Sequence, residues 1–373
     1  MTNKLTILAD SNIASLDDFF NTEALAATHL QEVDVIKVAG RDINAALLAQ
    51  IEPEVLLVRS VTPVNEALLA NNQSVHFVGS ATLGTDHVDQ PYLAARNITF
   101  ANAAGSSKHS VAQYVLSAIM TLHPEYWQQS MTLGIIGLGN IGSTLAQYAD
   151  DLGWQVLGYD PLLPVSNLNN ASFEQVINQS DVISLHVPLT DKKHNDNQDN
   201  QISSDYPTRH LIDQSALNMM PAQTLLINSA RGPVIDNAAL VADIQKSNRQ
   251  VVLDVFEDEP QIAEQLLSKL ALATPHIAGY SLEGKLRGTQ MIYEAFCAHM
   301  DILPKQSMHH LLPVNMYLWS ELKSHPDKLP KFYDIRQDDQ QLRAQCKEGQ
   351  VNGQDFDNLR RDYHLRREWQ FGN

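Results

Sequence analysis

Cysteine is nearly absent from this chain: its 373 residues hold two, Cys297 and Cys346, far apart and outside any CxxC pair. That excludes a disulfide scaffold and a thiolate zinc site, and it fits a reducing cytosol. Positive charge is scarce too. Against 43 Asp and Glu stand 26 Lys and Arg, a net charge of −17. Long-range repulsion then opposes nucleic acid and anionic lipid, and neither is expected as a partner. A small anion can still be held, but only by local Arg, Lys and backbone N–H groups. Long apolar runs are missing as well. No stretch approaches the roughly 20 residues of a membrane helix, and the apolar run at 5–8 is shorter than the roughly 7–15-residue core of a signal peptide. The expectation is a cytoplasmic globular protein. Hydrophobic residues make up 44%, enough for more than one core, and at roughly 150 residues per domain the length points to two or three domains.

The first hundred residues alternate short apolar runs with helical periodicity. LTILA (5–9), VDVIKV (33–38), VLLVRS (55–60), VHFVGS (75–80) and ITFAN (98–102) read as buried strands, with INAALLAQI (43–51) and VNEALLA (64–70) as helices between them. This βαβ rhythm implies a parallel sheet covered by helices. A second set follows: LGIIG (133–137), QVLGYD (155–160), DVISLHV (181–187), TLLINS (224–229), VVLDVF (251–256) and LALATPH (270–276). Six strands of this kind suit a doubly wound dinucleotide-binding domain. Between the two sets, SVAQYVLSAIMTLH (110–123) reads as a long amphipathic helix. The stretch 190–210 is polar and reads as an exposed loop; His194 and Asp196 within it fit a solvated surface better than a metal site. After residue 300, Pro304, Pro313, Pro326 and Pro330 punctuate a region that looks like a separate small domain.

Gly137-Leu138-Gly139-Asn140-Ile141-Gly142 is a GxGxxG flanked by an apolar strand and an amphipathic helix, with Asp160 closing the next strand 18 residues after Gly142. Gly137 permits the tight turn, Gly139 lets the backbone approach a pyrophosphate, and Gly142 lets helix and strand pack closely. The pyrophosphate then meets free N–H groups at the positive end of the helix. Asp160 is placed to accept from the adenine-ribose hydroxyls, and its charge repels a 2′-phosphate, so NAD is expected rather than NADP.

Three later motifs put a polar residue near the C-terminal end of a strand: Asn228 to Gly232, Asp254 to Pro260 and Thr274 to Tyr280. Oxidising a 2-hydroxy acid needs a fixed cation for the carboxylate, a base for the hydroxyl proton, and a carboxylate to orient that base. Arg231, His276 and Glu259 supply such a set. Each alone has an ordinary structural reading: a surface ion pair, a core histidine, an acid before Pro260.

The motifs GLGNIG, HVPLT (186–190), NSARG, DVFEDEP and TPHIAGY, in this order, resemble the D-isomer-specific 2-hydroxyacid dehydrogenase family. VRSVTPVNEALL (58–69), FVGSATLGTDHVD (77–89) and HIAGYSLEGKLRGT (276–289) extend the likeness. The resemblance implies an α/β fold of two Rossmann-like doubly wound parallel-sheet lobes. The substrate lobe would span 1–107 with 278–300 returning to it, and the inserted NAD-binding lobe 108–277. A small C-terminal α+β dimerisation domain would span 301–373. By motif match Arg231, Glu259 and His276 are catalytic, and Ser60, Thr82 and Tyr280 contact substrate. Asp160, Asp254 and Gly279 contact the cofactor, with backbone at Asn140, Ile141, Val187, Ser229, Ala230 and Arg231. Many relatives carry Asn and Glu where this chain has Ser107 and Gln113.

The implied partners are a small phosphorylated 2-hydroxy acid and a second copy of the chain. Arg59, Lys108, Lys285, Arg287 and Arg336 are candidates for the phosphate. The basic run Arg360, Arg361, Arg366 and Arg367 reads as a helix face or subunit interface. Two alternatives stay open: a member of the same family acting on another 2-hydroxy acid, and an NAD-sensing binding protein of the same fold.

Overall fold

The computed structural model describes residues 4–26, 32–164, 170–192 and 203–371. They form two compact units, one of 1–107 with 282–315 and one of 108–281 with 316–373.

The first unit is built on five parallel strands: β1 (Lys4–Asp10), β2 (Glu32–Val38), β3 (Val55–Val58), β4 (Phe77–Ser80) and β5 (Thr99–Asn102). Their order is β2-β1-β3-β4-β5. β3 and β4 are buried along their whole length, which is why they read as unbroken apolar runs. Side chains alternate across the sheet. Leu5, Ile7 and Ala9 share a core with Phe19, Leu286 and Phe296, whereas Leu8 joins Leu48, Val64 and Leu93 on the other face. The helix Leu282–His299 contributes its buried stripe of Leu286, Ile292, Tyr293 and Phe296 to the first of these cores. Burying each such side chain favours folding by roughly 1.5–3 kcal/mol.

The second unit holds six parallel strands: β6 (Thr132–Ile136), β7 (Gln155–Tyr159), β8 (Val182–Leu185), β9 (Leu225–Asn228), β10 (Val251–Leu253) and β11 (Leu272–Ala273). Their order is β11-β10-β9-β8-β6-β7. A parallel bridge between Gly158 and Asn170 adds a further edge beyond β7, where the Asn170 amide donates to the carbonyls of Asp160 and Leu163. The chain reverses its direction of winding between β6 and β8, and open sheets of this kind take ligands outside the C-terminal strand ends at that switch point.

Two expectations need correction. LALATPH contracts to the two-residue strand β11, because the chain turns from Thr274 onward. The region 301–373 does not stand as one separate body. Residues 301–315 go with the first unit and 316–373 with the second, and 278–281 stay with the second. Trp319, Leu322, Leu329, Ile335 and Trp369 share a core with Val111, Val115 and Ile119 of the long helix Lys108–Leu122. Trp319 stacks on Trp369 at 5.8 Å and meets Tyr148 edge-on at 4.8 Å. Gln113 accepts from Trp369 N–H at 3.0 Å and donates to its carbonyl at 3.0 Å. The amide thus pins the C-terminal segment to that helix. In the polar stretch, Asp191–Lys192 pairs in parallel with Ser203–Ser204. His194 and Asp196 lie outside the described residues.

Candidate active site

The glycine turn leaves β6 at the switch point. Gly137 has φ +94°, and a Cβ there would lie 2.6 Å from the carbonyl oxygen of His186, which follows β8. Gly142 sits at the start of the helix Asn140–Asp151; a Cβ there would lie 1.9 Å from the Gly137 carbonyl oxygen. Gly139 is the opposite case: a Cβ would meet nothing within 4 Å. It is the N-cap of the helix and supplies no side-chain acceptor, so the N–H groups of the first turn face open space beside Asn140 and Ile141. Asp160 braces the turn, accepting from Leu138 N–H at 3.0 Å and, through its other oxygen, from Leu162 N–H at 3.0 Å.

Two buried polar atoms near these strand ends have no hydrogen-bond partner: the Ser229 hydroxyl and Nδ1 of His186. Burial pushes the His186 imidazole down to about 3, so its ring is neutral. Its Nε2 bonds the Ser184 hydroxyl at 2.9 Å. Val187 lies against the same turn, 2.9 Å from where a Gly137 Cβ would stand. The open cradle over Gly139 and the uncapped helix start are what a dinucleotide phosphate needs, and the orphaned Ser229 hydroxyl leaves a polar group for the rest of the dinucleotide, so the residues present fit that group.

Beyond β9, the Asn228 side chain ties the next turn together, accepting from Ala230 N–H at 3.0 Å and donating to the Arg231 carbonyl at 2.9 Å. Arg231 donates to the Ala230 carbonyl at 2.8 Å. Gly232 presses on the segment after β10, where a Cβ would lie 1.9 Å from the Phe256 carbonyl oxygen. That same segment leads to Glu259, whose Oε2 accepts from Phe256 N–H at 3.3 Å. Oε1 of Glu259 receives Nδ1–H of His276 at 2.6 Å. Burial raises the Glu259 carboxyl, but the His276 charge, its hydrogen bond and the Arg360 charge more than offset this and hold it below the ordinary carboxylate range.

His276 itself has φ +55°, a left-handed conformation that costs a non-glycine residue on the order of 1 kcal/mol or more. Asp254 holds the strained turn. Its Oδ1 accepts from the Thr274 hydroxyl at 2.6 Å and from Ile277 N–H at 2.8 Å, and its Oδ2 from Ala278 N–H at 2.9 Å. Burial raises the Asp254 carboxyl. Gly279 and Tyr280 follow, and the Tyr280 ring meets Tyr363 edge-on at 5.8 Å.

Ser60 and Thr82 belong to the first unit, just past the C-terminal ends of β3 and β4. The Thr82 hydroxyl bonds Ser80 Oγ at 2.8 Å, which in turn bonds His87 Nε2 at 3.0 Å. Of the suggested phosphate cations, Arg336 is over half exposed and paired with Asp334 at 2.7 Å, and Arg287 donates to the Ser106 carbonyl. Sequence reasoning gave no role to Asn228 or Thr274, although both stand inside motifs it singled out. It also read Arg366 as part of a helix face or subunit interface, whereas the last helix among the described residues ends at Arg361. Arg366 is buried, and nothing in its local sequence marks it apart from its basic neighbours.

A family profile, D-isomer specific 2-hydroxyacid dehydrogenase, catalytic domain, matches residues 8–308, and a domain of unknown function (DUF3410) matches 323–371. The chain is 70% identical to the erythronate-4-phosphate dehydrogenase of Psychrobacter cryohalolentis, covering 98% of this chain and 97% of the relative. It is 46% identical to the protein of the same name from Acinetobacter baumannii, at 98% of each. In fold it is similar to D-lactate dehydrogenase from Aquifex aeolicus complexed with NAD and lactic acid, with a TM-score of 0.58 and 24% identity over 79% of this chain and 95% of that one. The chain belongs to the D-isomer-specific 2-hydroxyacid dehydrogenase family.

Proposed function

We propose that the chain oxidises the 2-hydroxyl of 4-phospho-D-erythronate to (R)-3-hydroxy-2-oxo-4-phosphooxybutanoate with NAD, a step toward pyridoxal 5′-phosphate. The observation that carries this reading is the 2.6 Å bond from His276 Nδ1 to Glu259. With Nδ1–H donated to an ionised carboxylate, Nε2 is left as the acceptor, and the imidazole can take the substrate hydroxyl proton. Glu259 then stabilises the imidazolium that forms. Arg231 provides the fixed charge that holds the substrate carboxylate. Ser60, Thr82 and Tyr280 contact the rest of the substrate.

Gly137, Gly139, Asn140, Ile141 and Gly142 would hold the cofactor pyrophosphate, and Asp160 the adenine ribose. Val187, Ser229, Ala230, Arg231, Asp254 and Gly279 would line the remainder. When bound, NAD supplies the hydride acceptor for C2. The named relatives and the NAD-bound neighbour of the same fold support substrate and cofactor.

The chain works, in this reading, as a cytoplasmic homodimer. Leu303, Val314 and Met316 are 84%, 88% and 77% exposed, apolar side chains that a second copy would cover; sedimentation velocity tests this, with a monomer as the contrary result. No helix among the described residues is long and apolar enough to cross a membrane.

The deciding assay follows reduced-nicotinamide absorbance with 4-phosphoerythronate, 3-phosphoglycerate and glycerate side by side. The phosphoerythronate should give the highest kcat/KM. A higher value for either other acid moves the chain to another substrate, and no reduction with any acid leaves the binding-protein alternative.

A further inference from the structure

We infer that Arg366 is a positioning residue for His276, so that the C-terminal segment of this chain completes its own acid–base site. The inference rests on the proposed role of His276 and adds what holds that residue in place. Asp254 takes the N–H groups of Ile277 and Ala278 from one side. Arg366 takes the carbonyls of the same two residues from the other. Its Nη1 donates to the Ile277 oxygen at 3.0 Å and its Nη2 to the Ala278 oxygen. Of the three peptide units that follow the imidazole, the carboxylate therefore holds the N–H of the first two and the guanidinium the carbonyl of the last two, so that the unit joining Ile277 to Ala278 is gripped on both its donor and its acceptor. Ser110 closes the arrangement: its hydroxyl donates to the Ala278 oxygen at 2.9 Å and accepts from Arg366 at 3.1 Å.

The guanidinium is itself fixed. It lies over the Tyr333 ring at 4.5 Å and donates to the Tyr363 hydroxyl at 3.1 Å. Tyr333 and Tyr363 both donate to Asp338, at 2.9 and 3.1 Å. Residue 366 also pairs in parallel with Ser281, whose hydroxyl donates to Glu368 at 2.8 Å. Lysine cannot replace this fork, because an ammonium is a point charge without two parallel donors in a plane. The left-handed backbone of His276 gives the clamp something to oppose. Released at Ile277 and Ala278, the residue relaxes toward an ordinary conformation and the imidazole swings off Glu259. A displacement of about 1 Å at a catalytic group lowers the rate about 100-fold.

The test uses the full-length protein with Arg366→Lys, Arg366→Met and Ser110→Ala, and with Arg361→Met as control; Arg361 is exposed and, among the described residues, paired with its neighbour Asp362. Each variant is assayed below its melting temperature for kcat, KM and NADH affinity. The Nδ1–H resonance of His276 is followed in 15N-histidine-labelled protein and assigned by its absence in His276→Asn. We expect Arg366→Lys to lose 10- to 100-fold in kcat with NADH affinity within about threefold, and to lose the resonance. Ser110→Ala should lose a few-fold, and Arg361→Met nothing. Folded Arg366→Lys or Ser110→Ala protein with wild-type kcat and an intact resonance overturns the inference, whether or not Arg366→Met folds. Should the wild type turn over no hydroxy acid, loss of the resonance in Arg366→Lys still supports the clamp while the proposed reaction falls.

Discussion

Two glycines of one motif should fail in different ways when each is given a methyl group. At Gly142 the new Cβ would stand 1.9 Å from the Gly137 carbonyl oxygen and 3.1 Å from Ile135 Cγ2. Carbon and oxygen need about 3 Å or more, so the helix Asn140–Asp151 must retreat from the turn by about 1 Å. Overpacking of this kind costs about 1–3 kcal/mol, partly offset by the gain of roughly 1 kcal/mol from alanine in a helix. A net loss of up to about 2 kcal/mol lowers Tm by up to about 8 °C for a unit of this size. At Gly139 the Cβ meets nothing within 4 Å. There the small penalty of alanine at an N-cap roughly cancels the reduced freedom of the unfolded chain, so Tm should stay within about 2 °C. Both changes should weaken NADH binding tenfold or more, a shift of about 1.4 kcal/mol, because the helix start has moved in one and the approach is blocked in the other. Thermal unfolding of the ligand-free protein and a fluorescence titration with NADH separate the two. Wild-type affinity in Gly139→Ala refutes the reasoning, since the open space over that residue then holds no part of the dinucleotide.

Replacing Glu259 by Gln keeps the shape of the pair and removes its charge; kcat should fall about 100-fold or more with a smaller change in KM, and steady-state kinetics decide it. His186 makes stability depend on pH. Its folded value of about 3 lies below the ordinary 6.5, so the unfolded chain binds the extra proton, and stability present above pH 6.5 is lost as pH falls toward 3. The loss is about 2 kcal/mol by pH 5; denaturant melts of His186→Gln should show a flatter pH profile, and an unchanged slope would count against the buried neutral ring. Phe296→Ala removes a fully buried side chain of the first unit and should cost about 3–5 kcal/mol, read from chemical denaturation. Asp160→Ser removes both a charge and a brace of the glycine turn; discrimination against NADP should relax at least tenfold in paired titrations.

The sheets, the glycine turn and the members of the candidate catalytic set were legible in the amino-acid order because each depends on neighbours along the chain. Alternating burial marks a strand within a few residues, and a strand, a glycine turn and a helix in succession carry their own geometry. His276 and Glu259 could be named as a pair because the chemistry of a proton carrier demands an acid, and both stand in short motifs after strands. Their contact at 2.6 Å is a tertiary fact, as is the support beneath it. Asp254 reaches residues 277 and 278 across more than 20 positions, and Arg366 reaches the same two across almost 90. No periodicity links such distant residues, and four arginines within eight positions look alike until packing buries one of them. The division of 301–373 between two bodies has the same origin. Trp319 and Trp369 are apolar in any reading, but only the folded chain decides which core they enter. Local steric preference acts over a few residues and can be read in order; burial, charge compensation and the holding of a strained turn depend on which segments meet in space.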